Sequence, residues 1–203
     1  MRQPAKFSIG DPQNSPAVTH GLIVETTSEG LVRVQLNRVH RLNAIDSKLA
    51  HILGALWDEV SEMAGVAAVI VTGSGTEAFC IGCTDDSIES SPLSPRAHGV
   101  EVPVVVAVNG LVRAAAYDLL AQADHVIAAE HASFLEPPAP WRGVEASGRC
   151  TRTPSARSAA LSAVEAQAAG MVNDVVPLAE LRQRSEEVAH RYGSSRRCTT
   201  PHA

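Results

Sequence analysis

Residues 102–110 read Val102-Pro103-Val104-Val105-Val106-Ala107-Val108-Asn109-Gly110. Val104, Val105, Val106 and Val108 leave this run without a polar face. β-Branched side chains suit a pleated backbone, and a stretch apolar on both sides suits a strand covered on both sides. Asn109-Gly110 closes it with turn chemistry. On the N-terminal side, Ala67 to Thr72 repeats the pattern and ends in Gly73-Ser74-Gly75. The Ser- and Pro-rich stretch from Asp85 to Gly99 between them reads as a loop. On the C-terminal side a helix is expected from Ala114 to Gln122, then a strand from His125 to Ala129. Further upstream, Asp46 or Ser47 can cap a helix running to about Met63, because Leu49, Ile52, Leu53, Leu56, Val60 and Met63 recur at helical spacing. Leu22-Ile23-Val24 and Leu31 to Leu36, joined through Ser28-Glu29-Gly30, read as a hairpin. Strands alternating with helices predict an α/β fold with right-handed crossovers.

The chain has 203 residues, enough for one domain with a sizeable core. Residues 1–20, with Pro4, Pro12 and Pro16, read as a flexible leader ahead of a domain over 21–192. Inside that domain, 137–158 carries Pro137, Pro138, Pro140 and Pro154 and reads as an irregular loop. Order returns with the capping box Ser162-Ala163-Val164-Glu165, which opens a short helix to Ala169. A strand from Met171 to Val176 and an amphipathic helix from Leu178 to about Tyr192 follow, and 193–203 reads as a disordered tail.

Formal net charge is −5, with no dense cationic block before Arg196-Arg197, so nucleic acid is not the expected partner. No apolar run approaches the roughly 20 residues of a membrane-spanning helix, and Met1 to Thr19 lacks a secretory pattern. Cytoplasmic residence is expected. Only 3% of the residues are aromatic, so the core must be aliphatic. Cys80, Cys83, Cys150 and Cys198 are expected as reduced thiols. Cys80-Ile81-Gly82-Cys83 lacks the second ligand pair of a zinc site and the context of a redox motif. Gly73-Ser74-Gly75 lacks the third glycine of a dinucleotide loop, and the eight histidines contain no His-x-x-x-His pair. No metal site is expected.

Several stretches, in order, resemble the crotonase family, the enoyl-CoA hydratases and isomerases. They are Leu36-Asn37-Arg38 through Leu42-Asn43-Ala44, Val69 to Gly73 through Ala78-Phe79-Cys80-Ile81-Gly82, Pro103 to Gly110, and Ala123-Asp124-His125. Ala132-Ser133-Phe134 and Glu165-Ala166 through Gly170-Met171-Val172 complete the set. The resemblance covers about 21 to 192 apart from the irregular stretch. It implies a ββα superhelix (the ClpP/crotonase fold), usually trimeric, acting on a CoA thioester without a further cofactor. Relative to the family, the C-terminal helical region is short, since the chain ends at Ala203. The shared chemistry is stabilisation of a thioester enolate by two backbone N–H groups, which act selectively because the charge develops only in the transition state.

By resemblance, Cys83 supplies the first oxyanion donor. The second falls on Ala115, within Ala114-Ala115-Ala116, where the family usually has three glycines. Alanine serves if the donor has negative φ and fails if positive φ is required. Asp118 stands where hydratases carry one catalytic glutamate, a methylene shorter. Pro138 stands where they carry the second, and Glu136 is the nearby substitute. For the CoA moiety the resemblance suggests Arg41, Ala44, Cys80, Ile81, Gly82 and Arg113. The resemblance therefore implies an enoyl-CoA hydratase/isomerase-like enzyme. The alternative is a non-catalytic acyl-CoA-binding homologue or partner subunit.

Overall fold

A computed structural model describes residues 16–84, 88, 94–137 and 160–197. Pro138 and nearly all of the expected irregular loop lie outside these residues, as do most of the leader and the last six positions.

Strands β1 (Ala17–Thr19), β2 (Leu22–Thr26) and β3 (Leu31–Leu36) lead into helix α1 (Ser47–Glu62). Then come β4 (Ala68–Gly73), β5 (Ala78–Cys80), β6 (Val104–Val108), β7 (Leu111–Arg113), α2 (Ala116–Gln122), β8 (His125–Ala129) and β9 (Ser133–Leu135). Last are β10 (Ala160–Ser162), α3 (Ala163–Ala168), β11 (Asp174–Val176) and α4 (Leu178–Arg197). The larger sheet has seven strands in the order β1-β2-β3-β4-β6-β8-β11. β1, β2 and β3 are antiparallel, and from β3 onward every pairing is parallel.

The valine run forms β6, flanked by β4 and β8, with every residue buried. Its two faces serve two cores. Val104, Val106 and Val108 pack with Leu49, Leu53, Trp57 of α1 and Leu120 of α2. Val105 and Ala107 pack with Leu181, Val188 and Ala189 of α4. A strand between two helical layers has no use for polar side chains, which is why its sequence is continuous rather than alternating. Asp46 caps α1 by accepting from the Leu49 N–H at 2.9 Å. Ser162 and Glu165 form the expected capping box of α3.

Several bounds differ from the sequence reading, among them β11, which starts at Asp174 rather than Met171. β1 lies inside the segment read as a leader, turned back onto β2 through His20 and Gly21, both at positive φ. α4 continues past Tyr192 to Arg197. α2 begins at Ala116 rather than Ala114, because Leu111–Arg113 is drawn into a second sheet. That four-stranded sheet, β10-β9-β7-β5, was not legible in advance. Its strands have three residues each, too few to show a period.

Candidate active site

The site is assembled where the second sheet meets the start of α2. Two buried asparagines fix the turn that feeds β5. The Asn43 amide donates to the carbonyls of Ser74 (3.0 Å) and Ala78 (2.8 Å), while its oxygen accepts from the Arg38 N–H. Asn109 donates to Gly75 (2.9 Å) and Ala78 (3.1 Å) and accepts from the Gly73 N–H. Ala78 O thus takes bonds from both side chains. Gly73 has to be glycine here, since a Cβ would lie 2.6 Å from Phe79 O and 2.7 Å from Asn109 Oδ1. Gly73-Ser74-Gly75 is a packed turn, not a nucleotide loop.

β5 and β7 run parallel, with Cys80 beside Val112. Past that rung the two chains stay close, with Gly82 against Ala114 and Ala115. The contact is tight. A Cβ built on Gly82, whose φ is +90°, would lie 2.9 Å from Ala114 Cβ, 3.1 Å from Ala115 N and 3.2 Å from Arg113 O. Cys83 also forms a parallel bridge to Ile45, made by Ile45 N–H to Gly82 O and Thr84 N–H to Ile45 O, both 2.9 Å. Alternation along an extended chain then turns the Cys83 N–H to the side opposite Ile45. Ala115 has φ −57° and ψ −14°, and the positive φ (51°) falls on Ala114. Ala115 thus has the negative φ under which alanine could serve as a donor, and the left-handed strain falls on its neighbour. Behind the amides, an apolar cavity of about 20 Å³ lined by Leu36, Trp57, Phe79, Cys80, Ala115 and Leu119 is little larger than one water. The start of α2 therefore sits on a filled core.

Asp118 lies in the first turn of α2 and is half-buried. Burial pushes its carboxyl above the ordinary aspartate range, as desolvation does to any carboxylate with no compensating cation. Glu136 follows β9 with φ 51°. Its Oε2 accepts from Arg113 Nε (3.2 Å) and Nη2 (3.1 Å). Tyr117, buried in α2, donates its hydroxyl proton to Leu135 O at 3.0 Å. Burial, and then the charge of Glu136, pushes the phenol up.

The residues suggested for CoA divide. Arg41 is exposed, with Nη1 3.9 Å from Asp46 Oδ2. Arg113 turns to Glu136, which occupies its guanidinium. Arg38 is committed internally, bonded to Asp46 and to Ala44 O, and its bond holds the Asp46 carboxyl below the usual range. Ala44 and Cys80 are buried, so a ligand would meet them through main-chain atoms only; Cys80 Sγ accepts the Gly82 N–H at 3.3 Å. Ile81 and Gly82 border the amide pair. Tyr117 was missed by sequence reasoning, although a tyrosine in so aliphatic a chain, one residue before an acid, was the available signal. Among the described residues no three His, Cys, Asp or Glu side chains group as metal ligands, and no helix is long and apolar enough to cross a membrane. A larger depression of about 940 Å³ lies between Thr26–Gly30, Met63–Gly65 and α4, and shares no residue with the amide pair.

Comparison with known proteins gives a consistent class. An enoyl-CoA hydratase from Bacillus anthracis superposes with a TM-score of 0.70 at 24% identity, covering 86% of this chain and 77% of that one. An enoyl-CoA hydratase from Mycobacterium tuberculosis H37Rv superposes at 0.68 with 27% identity, covering 85% and 80%. The architecture is the crotonase fold. Carnitinyl-CoA dehydratase from Proteus mirabilis is 26% identical over 193 residues, spanning 84% of this chain and 74% of the relative. The family model for enoyl-CoA hydratase/isomerase matches residues 26–148, and the chain belongs to that family.

Proposed function

We propose that this protein acts on an acyl-CoA thioester, stabilising its enolate with the N–H groups of Cys83 and Ala115. The observation that supports this most directly is the Gly82 contact, which sets Ala115 N beside the residue preceding Cys83. Two amides from separate parts of the chain, aimed at one oxygen and backed by a packed core, lower the energy of a charge that exists only during reaction. Because both donors are main-chain groups, neither cysteine nor alanine removes the function.

Asp118 is the group for proton transfer. Its raised carboxyl is a better proton holder near neutral pH than an exposed aspartate. Glu136, fixed by Arg113, is the second carboxylate. Hydration and double-bond isomerisation both proceed through this intermediate, and isomerisation requires only one acid–base group. Names among the relatives, enoyl-CoA hydratase and carnitinyl-CoA dehydratase, describe addition or loss of water on such thioesters.

The test is loss of enoyl absorbance on mixing with crotonyl-CoA, with a 3-enoyl-CoA assayed in parallel for isomerisation. Turnover in either assay, reduced on the order of 10²-fold or more in Asp118→Asn, is the expected result. Saturable binding with no turnover, unchanged in Asp118→Asn, supports the binding-only alternative. Absence of binding overturns the reading.

A further inference from the structure

The ladder between β7 and β9 ends with Val112 beside Phe134 and Arg113 beside Leu135. Immediately past that rung both chains break into the left-handed region, Ala114 on one side and Glu136 on the other, each at φ 51°. Non-glycine residues hold this conformation only where surrounding contacts over-determine it. Two contacts do so here. The Arg113 guanidinium reaches across to Glu136 Oε2. The Tyr117 hydroxyl, one turn into α2, reaches back to Leu135 O. The kink at Ala114 lies between Arg113 and the Ala115 nitrogen that adjoins Gly82, and the kink at Glu136 precedes the carboxylate that meets Arg113 of β7. The Tyr117–Leu135 bond ties the start of α2, just past one kink, to the residue just before the other. With burial holding the phenol protonated, the hydroxyl is a permanent donor to Leu135 O, at the end of the strand that β10 flanks on its other side.

We propose that Tyr117 is a positioning residue, whose bond to Leu135 O locks the Ala115 amide and the Glu136 carboxylate into one rigid unit. The proposal rests on the acyl-CoA reading above for its consequence in catalysis, though not for the coupling itself. Tyr117 acts through the two groups on either side of it. A shift of about 1 Å in a reacting group costs on the order of 10²-fold in rate, so a single hydroxyl has leverage here beyond its contribution to folding.

The experiment uses Tyr117→Phe, Glu136→Gln and the double variant, in two measurements. In steady-state kinetics on whichever thioester the wild type converts, Tyr117→Phe is expected to lower kcat about 10-fold or more with KM nearly unchanged. The double variant should be no slower than the slower single one. A purely structural tyrosine would lower the yield of folded protein and leave kcat per folded molecule alone, which overturns the proposal. In thermal melts the double variant should unfold no lower than Tyr117→Phe, since the lock is already lost. Strict additivity of the two melting shifts overturns the proposal whether or not the enzyme turns over. A wild type that shows the coupling but converts no thioester sinks the acyl-CoA reading instead.

Discussion

Gly82 and Asp118 carry opposite lessons about single residues. Gly82 has no room for a methyl group: its φ is +90° and a Cβ would press on Ala114 Cβ and Ala115 N. Gly82→Ala therefore separates the two amides, and butyryl-CoA binding by calorimetry is expected to weaken about 10-fold or more, with the circular dichroism retained. Wild-type affinity in that variant would mean the thioester is held elsewhere. At Asp118 the structure is working against its own stability. Burial raises the carboxyl above its value in the unfolded chain, about 3.9, so the folded state binds the proton more tightly than the unfolded one. The ionised side chain then costs stability once pH exceeds the unfolded value, and the cost grows until pH passes the folded value, where it levels off. Asp118→Asn should melt higher than wild type at pH 7, and the gain should shrink as pH falls toward about 4 and be absent below it. A variant that melts lower at pH 7 would mean that the carboxylate makes a stabilising contact. Loss of activity with gain of stability is the signature of a working group.

At the scale of elements, α4 is fastened to the large sheet by a ring of alternating charges. Arg33 on β3 pairs with Glu25 on β2 at 3.6 Å and with Glu186 on α4; Arg182 on α4 closes the ring to Glu25 (3.1 Å) and Glu186 (3.2 Å). The members are not equal. Arg33 is 6% exposed, whereas the Arg182 side chain is 65% exposed. Removing the partner of a buried cation leaves its desolvation uncompensated. Glu186→Gln should cost about 1–3 kcal/mol in urea unfolding, and Arg182→Ala less than about 1 kcal/mol. Equal losses would show that the ring shares its charge evenly and that burial of Arg33 is not what matters. At the far edge, Asp174 of β11 joins His125 of β8 (3.2 Å) to Arg184 of α4 (2.9 Å). There burial opposes ionisation, yet the bonds from Arg184 and His125 hold the carboxyl below its ordinary value. The helix that covers the second core is thus held by charge at both flanks and by Leu181, Val188 and Ala189 between them.

Over the whole molecule, the parts legible in the sequence are those with long elements. β3, β4, β6, β8, α1 and α4 carry five or more residues of continuous or periodic pattern, and solvent exclusion alone assigns their faces. The capping of α1 and α3 was legible for the same local reason, a side chain meeting a backbone amide three residues away. The motif order also placed Cys83, Ala115, Asp118 and Glu136 as candidates. What stayed hidden was the second sheet, with its three-residue strands, and with it the pairing of Arg113 to Glu136 and the reach of Tyr117 to Leu135. These contacts span 18 and 23 positions of chain, and no local spacing encodes them. By itself the sequence determined the layered α/β core, because burial of apolar side chains is a property each segment brings with it. Only the tertiary structure decided that Gly82 packs against Ala115, which alanine takes the left-handed turn and which carboxylate is tied down, because hydrogen-bond direction depends on where distant segments come to rest.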